Sequence, residues 1–376
     1  MAAFHFSKIF PPAADLSLSP LPPQVLGSDR RAAALRRLRA EEAPQQAGTS
    51  LFAADAWRTL GLHRLEPALE ALELASPHGG YVSPLALSLG QALAAHCCAQ
   101  PAPAWQALRE LSVDFVLFSA RSKVPKPQLP SLAQLAACFP ALRRLRWPLL
   151  LLGREEWGAL PGTPAFQGLT ELRLGIRADE WRGHRLPRFS SLTALQVLEI
   201  SAEGDPACGY EGALPLVPEQ GPWLPPSLRQ LLLLASLPDA YDERELNLGG
   251  AEAGLETLHL VVWESFVQMG QNPAWAGQVQ GQPRLPVLPA LRCLCLELTS
   301  GGYGARQTFS LEWLLRQPAL THLILDGPSG DWESYDSMAL FLEGSREQME
   351  RLAARLQRLR GHQVDTRWAV FAGGCS

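Results

Sequence analysis

Leucine residues recur along this chain at one fixed spacing, Leu-x-x-Leu-x-Leu, in which the intervening positions vary and are mostly polar. The clearest copy is residues 169–174, Leu-Thr-Glu-Leu-Arg-Leu, and in some copies Val, Trp or Ile replaces the last leucine. So many copies at one internal spacing indicate that a single structural unit recurs. Eight copies begin at Leu108, Leu142, Leu169, Leu195, Leu228, Leu255, Leu291 and Leu320, and we interpret Leu69 as the start of an earlier copy.

The pattern inside each copy predicts a short β-strand. Its last two apolar residues are separated by one other residue, so both side chains point to the same face of the strand. One such strand cannot bury its leucines, whereas copies stacked in parallel form a continuous core. From Leu108 onward, consecutive copies start 26 to 36 residues apart, which leaves room for a turn and a helical or irregular return segment. The sequence therefore predicts an α/β array with one parallel strand per copy.

The repeated motif resembles that of the leucine-rich-repeat family, and the resemblance covers roughly residues 65–345. It implies an open, horseshoe-shaped solenoid with a parallel β-sheet on the concave face and helices and irregular segments on the convex face. The family usually has Asn or Cys three residues after the last leucine, to bind backbone groups of the turn. Because neither occurs at that position here, we expect turns satisfied by backbone groups or water, and an imperfect horseshoe. The position holds Val116, Leu150, Arg177, Glu203, Ser236, Trp263, Thr299 and Pro328.

The rest of the chain is predicted to flank and cap this array. Residues 1–49 are interpreted as a flexible, Pro-rich leader with one basic helix over residues 28–43, which begins at Ser28-Asp29. That helix would pack loosely on the array or meet an acidic partner or a membrane surface. Residues 50–345 form the array of eight or nine repeats, with an N-terminal helical cap at 50–65. Residues 346–376 close the C-terminal end with a helix, predicted from 345 to about 360, and a last strand at 364–371.

The return segments contain two further predicted helices, over residues 83–98 and 131–138. The second helix ends in Cys138 before a proline and the next strand, a layout that resembles the cysteine-containing repeats of F-box adaptors; residues 311–320 share it without the Cys. Gly- and Pro-rich stretches are interpreted as loops, which are frequent contact elements when their aromatic residues are exposed. The alternative is that the aromatic side chains fold back over the core. These loops are 153–165 with Trp157, 201–226 with Trp223, 264–289 with Trp275 and 299–308 with Tyr303.

Composition bears on whether the chain folds, on the partners it can attract and on its cellular location. Of its 376 residues, 47% are hydrophobic and 19% are charged, which is typical of a folded protein. The formal net charge of −4 gives no general attraction to nucleic acid, and no apolar run of about 18 residues predicts a membrane span. Seven cysteines without clusters at the ends of the array, and no Asn-x-Ser/Thr site, favour a cytoplasmic or nuclear location. Since the first acidic residue is Asp15, an organellar transit segment is an alternative.

The residues at the third, fifth and seventh motif positions are expected to point away from the leucines, along the concave sheet. The early copies carry charged residues there, and the later copies carry more apolar ones. A surface with a charged zone and an apolar zone fits a protein or peptide partner, whereas scattered solvated charges and a loop-covered apolar patch are the alternative. The candidate partner-binding residues are Glu110, Arg144, Arg146, Glu171, Arg173, Glu199, Leu232, His259 and Ile324.

One group on this face has the side chains of a metal site. His259 and Cys295 are predicted neighbours on adjacent strands, as are Cys293 and His322, and strands lie about 4.8 Å apart. Four such ligands can bind zinc, but their spacing matches no short zinc motif, so unrelated surface side chains are the preferred interpretation and no metal or cofactor is predicted. The sequence also lacks a Gly-Lys-Ser/Thr phosphate loop, a Gly-x-Ser-x-Gly elbow and a His-Glu-x-x-His motif, and the chain is not predicted to be an enzyme.

Three functions follow from these features. The first is a non-catalytic scaffold that binds a protein through the concave face and edge loops, an inference by analogy with the fold. The second is an F-box-like substrate adaptor that joins cullin-type ubiquitin ligase components through a three-helix module within residues 20–60. The third is a metal- or thiol-dependent activity at the His and Cys group. The sequence names no partner for any of them.

Overall fold

The computed structural model describes the repeat strands and parts of the segments between them. The chain forms two compact units, Met1–Gly175 and Ile176–Ser376. The structure describes residues 14–18, 35–41, 69–75, 93–98, 105–114, 130–176, 186–202, 222–234, 248–262, 287–298, 307–326, 340–343 and 346–361.

The first unit is built on strands that follow one another in chain order. Each of the first four strands pairs in parallel with the next, and the sixth lies beside the fifth. The last strand ends one residue beyond the boundary of the unit. The strands are β1 (Ala14–Leu18), β2 (Leu35–Glu41), β3 (Ala71–Ala75), β4 (Glu110–Asp114), β5 (Arg144–Leu152) and β6 (Glu171–Ile176).

The second unit repeats this arrangement. Its main strands are β7 (Val197–Ala202), β8 (Gln230–Leu234), β9 (Thr257–Val262), β10 (Cys293–Leu298), β12 (His322–Asp326) and β14 (Arg358–Gly361), which pair in parallel in that order. A separate parallel pair is formed by β11 (Gln307–Ser310) and β13 (Leu340–Glu343).

The pairing register aligns the leucines of consecutive copies. Leu111 lies opposite Leu145, and Leu231 lies between Leu198 and Leu258. These side chains are at most 1% exposed, so one face of each strand forms the core. The prediction of an α/β protein with one parallel strand per motif copy is therefore confirmed, including the early copy at Leu69.

Strands also form beyond the predicted array, where helices or a flexible leader were expected. Register places Leu16 of β1 beside Leu38 of β2, and Leu359 of β14 beside Leu323. The basic helix predicted over 28–43 is wrong at β2, and the C-terminal helix predicted to reach about 360 ends at Arg355, before β14. In both places pairing with a neighbouring strand overrides the helix propensity of Leu and Arg. The predicted cap at 50–65 and last strand at 364–371 lie outside the described residues.

Helices occupy several return segments. α2 forms where a helix was predicted and ends in Cys138 as expected. Its N-cap is Ser131, whose hydroxyl accepts a hydrogen bond from the Gln134 N–H at 3.2 Å, while the Gln134 side chain accepts one from the Ser131 N–H at 2.8 Å. This reciprocal capping box satisfies two N–H groups that have no partner within the helix. The helices are α1 (residues 93–98), α2 (Leu132–Cys138), α3 (Arg154–Ala159), α4 (Leu311–Arg316) and α5 (Arg346–Arg355).

The loop predicted at 153–165 is wrong, because the segment is helical. It contains α3 and two 3₁₀ turns, Leu160–Gly162 and Pro164–Phe166, whose prolines stand in the first turn where their missing N–H costs no hydrogen bond. Trp157 is fully buried, and its indole N–H donates to the Gly175 carbonyl at 3.1 Å. Trp223 is also fully buried. Both residues therefore pack in the core, whereas Trp275 and Tyr303 lie outside the described residues.

A ladder of backbone hydrogen bonds joins consecutive copies at the start of each strand. The carbonyl of the second motif residue accepts from two N–H groups of the next copy; for Arg109 the donors are Arg143 at 2.7 Å and Arg144 at 2.9 Å. The same pair of bonds is made by the carbonyls of Glu70 and Arg143 in the first unit, and by those of Gln196, Arg229, Glu256 and Arg292 in the second. Within each unit, backbone groups thus hold these copies to one another.

Gln317 is a buried polar residue that joins two copies of the second unit. Its side chain accepts a hydrogen bond from the Leu288 N–H at 2.8 Å and donates one to the Trp313 carbonyl at 3.3 Å. We expect Gln317→Leu to lower the free energy of unfolding by about 1–3 kcal/mol, since it leaves a buried donor and acceptor unpaired. Urea titration measures this loss, and hydrogen exchange should show faster exchange of the Leu288 amide.

The matched control for this change is Gln357→Leu. The Gln357 side chain is exposed, so its loss should change the free energy of unfolding by less than about 0.5 kcal/mol. Equal effects of the two substitutions would contradict the bridging role of Gln317.

Candidate binding surface

The strands have a second face, opposite the leucines, which is lined by the third and fifth motif positions; we call it the outward face. In the first unit, register places Glu110 beside Arg144 and Ser112 beside Arg146. Arg144 Nη1 lies 3.4 Å from Glu110 Oε1, and the two side chains are 54% and 33% exposed. Because both are well exposed, this ion pair contributes about 0–1 kcal/mol to folding and remains open to exchange with the charges of a partner.

The neighbouring strand carries a second ion pair. Arg173 Nε donates to Glu171 Oε1 at 2.5 Å, and both side chains are 21% exposed. With Arg146 half-buried on the adjacent strand, the outward face of β4, β5 and β6 combines three arginines with two glutamates. The patch therefore presents both signs of charge, rather than the uniform positive field that would attract a polyanion.

The outward face of the second unit is more apolar. Register places the fifth motif positions in one row across β7, β8, β9, β10 and β12, in the order predicted from motif spacing. Four members are half-buried, whereas Glu199 is only 5% exposed, so its carboxylate offers little surface to a partner. The row consists of Glu199, Leu232, His259, Cys295 and Ile324.

The predicted neighbours of the metal hypothesis are also paired in register. Cys295 lies beside His259, and Cys293 lies beside His322. His322 Nδ1 shares a hydrogen bond with the Thr321 hydroxyl at 2.9 Å. In the ranges that the structure describes, no group of three or more His, Cys, Asp or Glu side chains has an arrangement that could hold a metal ion. These four residues occupy third and fifth motif positions and so belong to the outward face.

Comparison with models of protein families and with curated proteins finds no match to this chain. Across the described part of the chain, no helix has the length and apolar character that a membrane span requires.

The outward face also includes residues that were not predicted as candidates. Ser112, Gln230 and Thr257 occupy third or fifth motif positions and lie in register with other residues of this face. Motif spacing alone would have placed them there. Small polar side chains of this kind add hydrogen-bonding capacity between the charged and apolar residues.

Proposed function

We propose that this chain is a leucine-rich-repeat solenoid that acts as a non-catalytic scaffold for protein recognition. The observation that carries the proposal is the outward face, where side chains of different chemistry stand in continuous register on consecutive strands. The repeated backbone ladder and the buried leucines support the solenoid, because they join each copy to its neighbours in the same way.

The size and composition of the outward face favour a polypeptide ligand over a small molecule. Five neighbouring strands in the second unit, at about 4.8 Å each, span roughly 19 Å. On the second unit, half-buried apolar residues such as Leu232 and Ile324 supply area to cover beside the polar His259. On the first unit, the ion pairs supply charge-assisted contacts of their own. Such a mixture is typical of surfaces that bind proteins reversibly.

The test is an affinity purification with the charges of the outward face reversed. One variant combines Arg144→Glu, Arg146→Glu and Arg173→Glu. We expect it to reduce capture of the protein partner at least tenfold relative to the intact chain, because acidic groups of the partner that meet arginines would then meet glutamates of the same charge. Quantitative mass spectrometry of the captured proteins measures the loss.

The matched control reverses Arg109, Arg292 and Arg351, which are exposed and lie outside the third and fifth motif positions. The two variants have the same net charge, so a nonspecific effect of charge would reduce capture equally. Retained capture by the outward-face variant, or loss in both variants, would argue against recognition through this face.

The second candidate is an F-box-like adaptor, which requires a helical module within residues 20–60. The parallel strand β2 at Leu35–Glu41 lies inside that segment and favours the plain scaffold. Deleting residues 1–60 separates the two functions. Capture of cullin-type ligase components by the intact chain alone would support the adaptor, whereas capture of one other protein by both forms would support the scaffold.

A further inference from the structure

Two buried cysteines from neighbouring return segments of the first unit lie against each other. Cys97 is in α1 and Cys138 is the last residue of α2, and their exposed fractions are 2% and 0%. The Cys138 thiol donates to the Cys97 carbonyl with an Sγ–O distance of 3.9 Å. A second contact between the helices, from Cys98 Sγ to Gln134 Oε1 at 3.9 Å, holds the same two segments together. All three cysteines are free thiols.

The two thiols differ in acidity. They share a side-chain hydrogen bond that raises the pKa of Cys97, which burial raises further. The same bond lowers the pKa of Cys138, against the opposing effect of its own burial. When Cys138 loses the proton that it donates to the Cys97 carbonyl, its sulfur accepts the hydrogen bond of the Cys97 S–H, and this bond stabilises the thiolate. Cys138 is therefore the thiol that loses its proton first, and the thiolate is the reactive form of cysteine.

We propose that Cys97 and Cys138 form a redox-active pair. Hydrogen peroxide oxidises the two thiols to a disulfide that joins consecutive repeats. The Cys138 thiolate attacks one peroxide oxygen, the O–O bond breaks, and the departing hydroxide takes up the proton that Cys138 released. The Cys97 sulfur then attacks the sulfenic sulfur of Cys138, and the S–O bond breaks. The second hydroxide takes the Cys97 proton, so two thiols and one peroxide give one disulfide and two water molecules.

The disulfide would join α1 to α2 and close a loop between residues 41 positions apart. A cross-link of this length restricts the unfolded chain more than the folded one, provided that the native geometry accepts it. We therefore expect oxidation to stabilise the first unit, with a rise in Tm of about 3–5 °C that dithiothreitol reverses.

The experiment treats the full chain with hydrogen peroxide, blocks the remaining thiols by alkylation, and digests it without reduction. We expect two of the seven thiols to be lost and tandem mass spectra to show a peptide linked through Cys97 and Cys138. A cross-link through Cys98 instead, oxygenated cysteines without a cross-link, or seven alkylated thiols would each overturn the proposal.

Three single variants identify the bond. Cys97→Ala and Cys138→Ala should each abolish the cross-link, whereas Cys98→Ala, which removes the half-buried neighbour, should retain it. Circular dichroism establishes that each variant is folded. If a buried variant fails to fold, the cross-linked peptide of the unsubstituted chain and of Cys98→Ala still decides the outcome.

Discussion

Replacing Leu231 with Ala should lower the free energy of unfolding of the second unit by about 2–5 kcal/mol. Leu231 of β8 is fully buried, between Leu198 and Leu258 of the neighbouring strands. The substitution removes three carbon atoms from a closely packed row and leaves a cavity where the repeats stack. A shift of the urea unfolding midpoint, followed by fluorescence, measures the loss.

The adjacent residue provides the control for this prediction. Leu232 is on the same strand but on the outward face, where it is half-buried. Leu232→Ala should therefore cost less than about 1 kcal/mol, although the chemical change is identical. If the two substitutions destabilised the protein equally, or Leu232→Ala did so more, the assignment of the two faces would be wrong.

Replacing Gly250 with Ala should also destabilise the second unit, by about 2–5 kcal/mol. Gly250 has φ of +102°, a conformation that residues with a side chain rarely adopt. A Cβ atom there would lie 2.3 Å from the Leu224 carbonyl oxygen. That oxygen belongs to the backbone and cannot move aside as a flexible side chain can. Thermal unfolding, with a Tm reduced by several degrees, tests this prediction.

Gly158→Ala is the corresponding control, because Gly158 is exposed within α3 and no atom lies within 4 Å of the position that a Cβ would occupy. Alanine is the better helix former, so we expect a gain of about 0.5–1 kcal/mol. A Gly250→Ala variant as stable as the unsubstituted chain would show that the turn at this position is not held as the structure has it.

The parallel strands and their register could be predicted because both depend on the spacing of the motif. A one-residue shift would move every leucine to the outward face, so burial of the leucines fixes the pairing. The neighbours Cys295 and His259 follow from this rule alone. The row of candidates in the second unit follows from it as well.

The outermost strands could not be predicted as readily, because their motif copies are incomplete. In β2, Leu35 and Leu38 have the spacing of the motif, but Ala40 occupies the position of the last leucine. In the copy that ends in β14, Leu356 and Leu359 have this spacing, and Gly361 occupies the position of the last leucine. Arginine-rich sequence of this kind is equally compatible with a helix. These segments become strands because the neighbouring strand supplies hydrogen-bond partners for their backbone.

A second and weaker sequence signal accompanies most motif copies. The residue three positions before the first leucine is buried, and its carbonyl accepts a hydrogen bond from the N–H of that leucine; Phe139 and Leu142 are one example, at 3.3 Å. The position tolerates several side chains, so it is less visible in the sequence than the leucines. It is occupied by Trp105, Phe139, Phe166, Leu192, Pro225, Leu288 and Gln317.

Motif spacing does not predict how buried each residue of the candidate surface is, or which ion pairs it forms. Spacing places Glu199 and Arg173 on the outward face but does not show that Glu199 is 5% exposed or that Arg173 binds Glu171. Burial and ion pairing depend on side-chain conformations and on neighbouring groups. These are properties of the packed structure and not of the repeat.

The central claim, that the outward face binds a protein, is tested most directly by site-specific photo-crosslinking. A benzophenone amino acid is placed at Leu232, and in a second variant at Ala133, which is exposed on α2. We predict that position 232 gives one discrete cross-linked protein, and that position 133 does not. Cross-linking of the same protein from position 133, with none from position 232, would contradict recognition through the outward face.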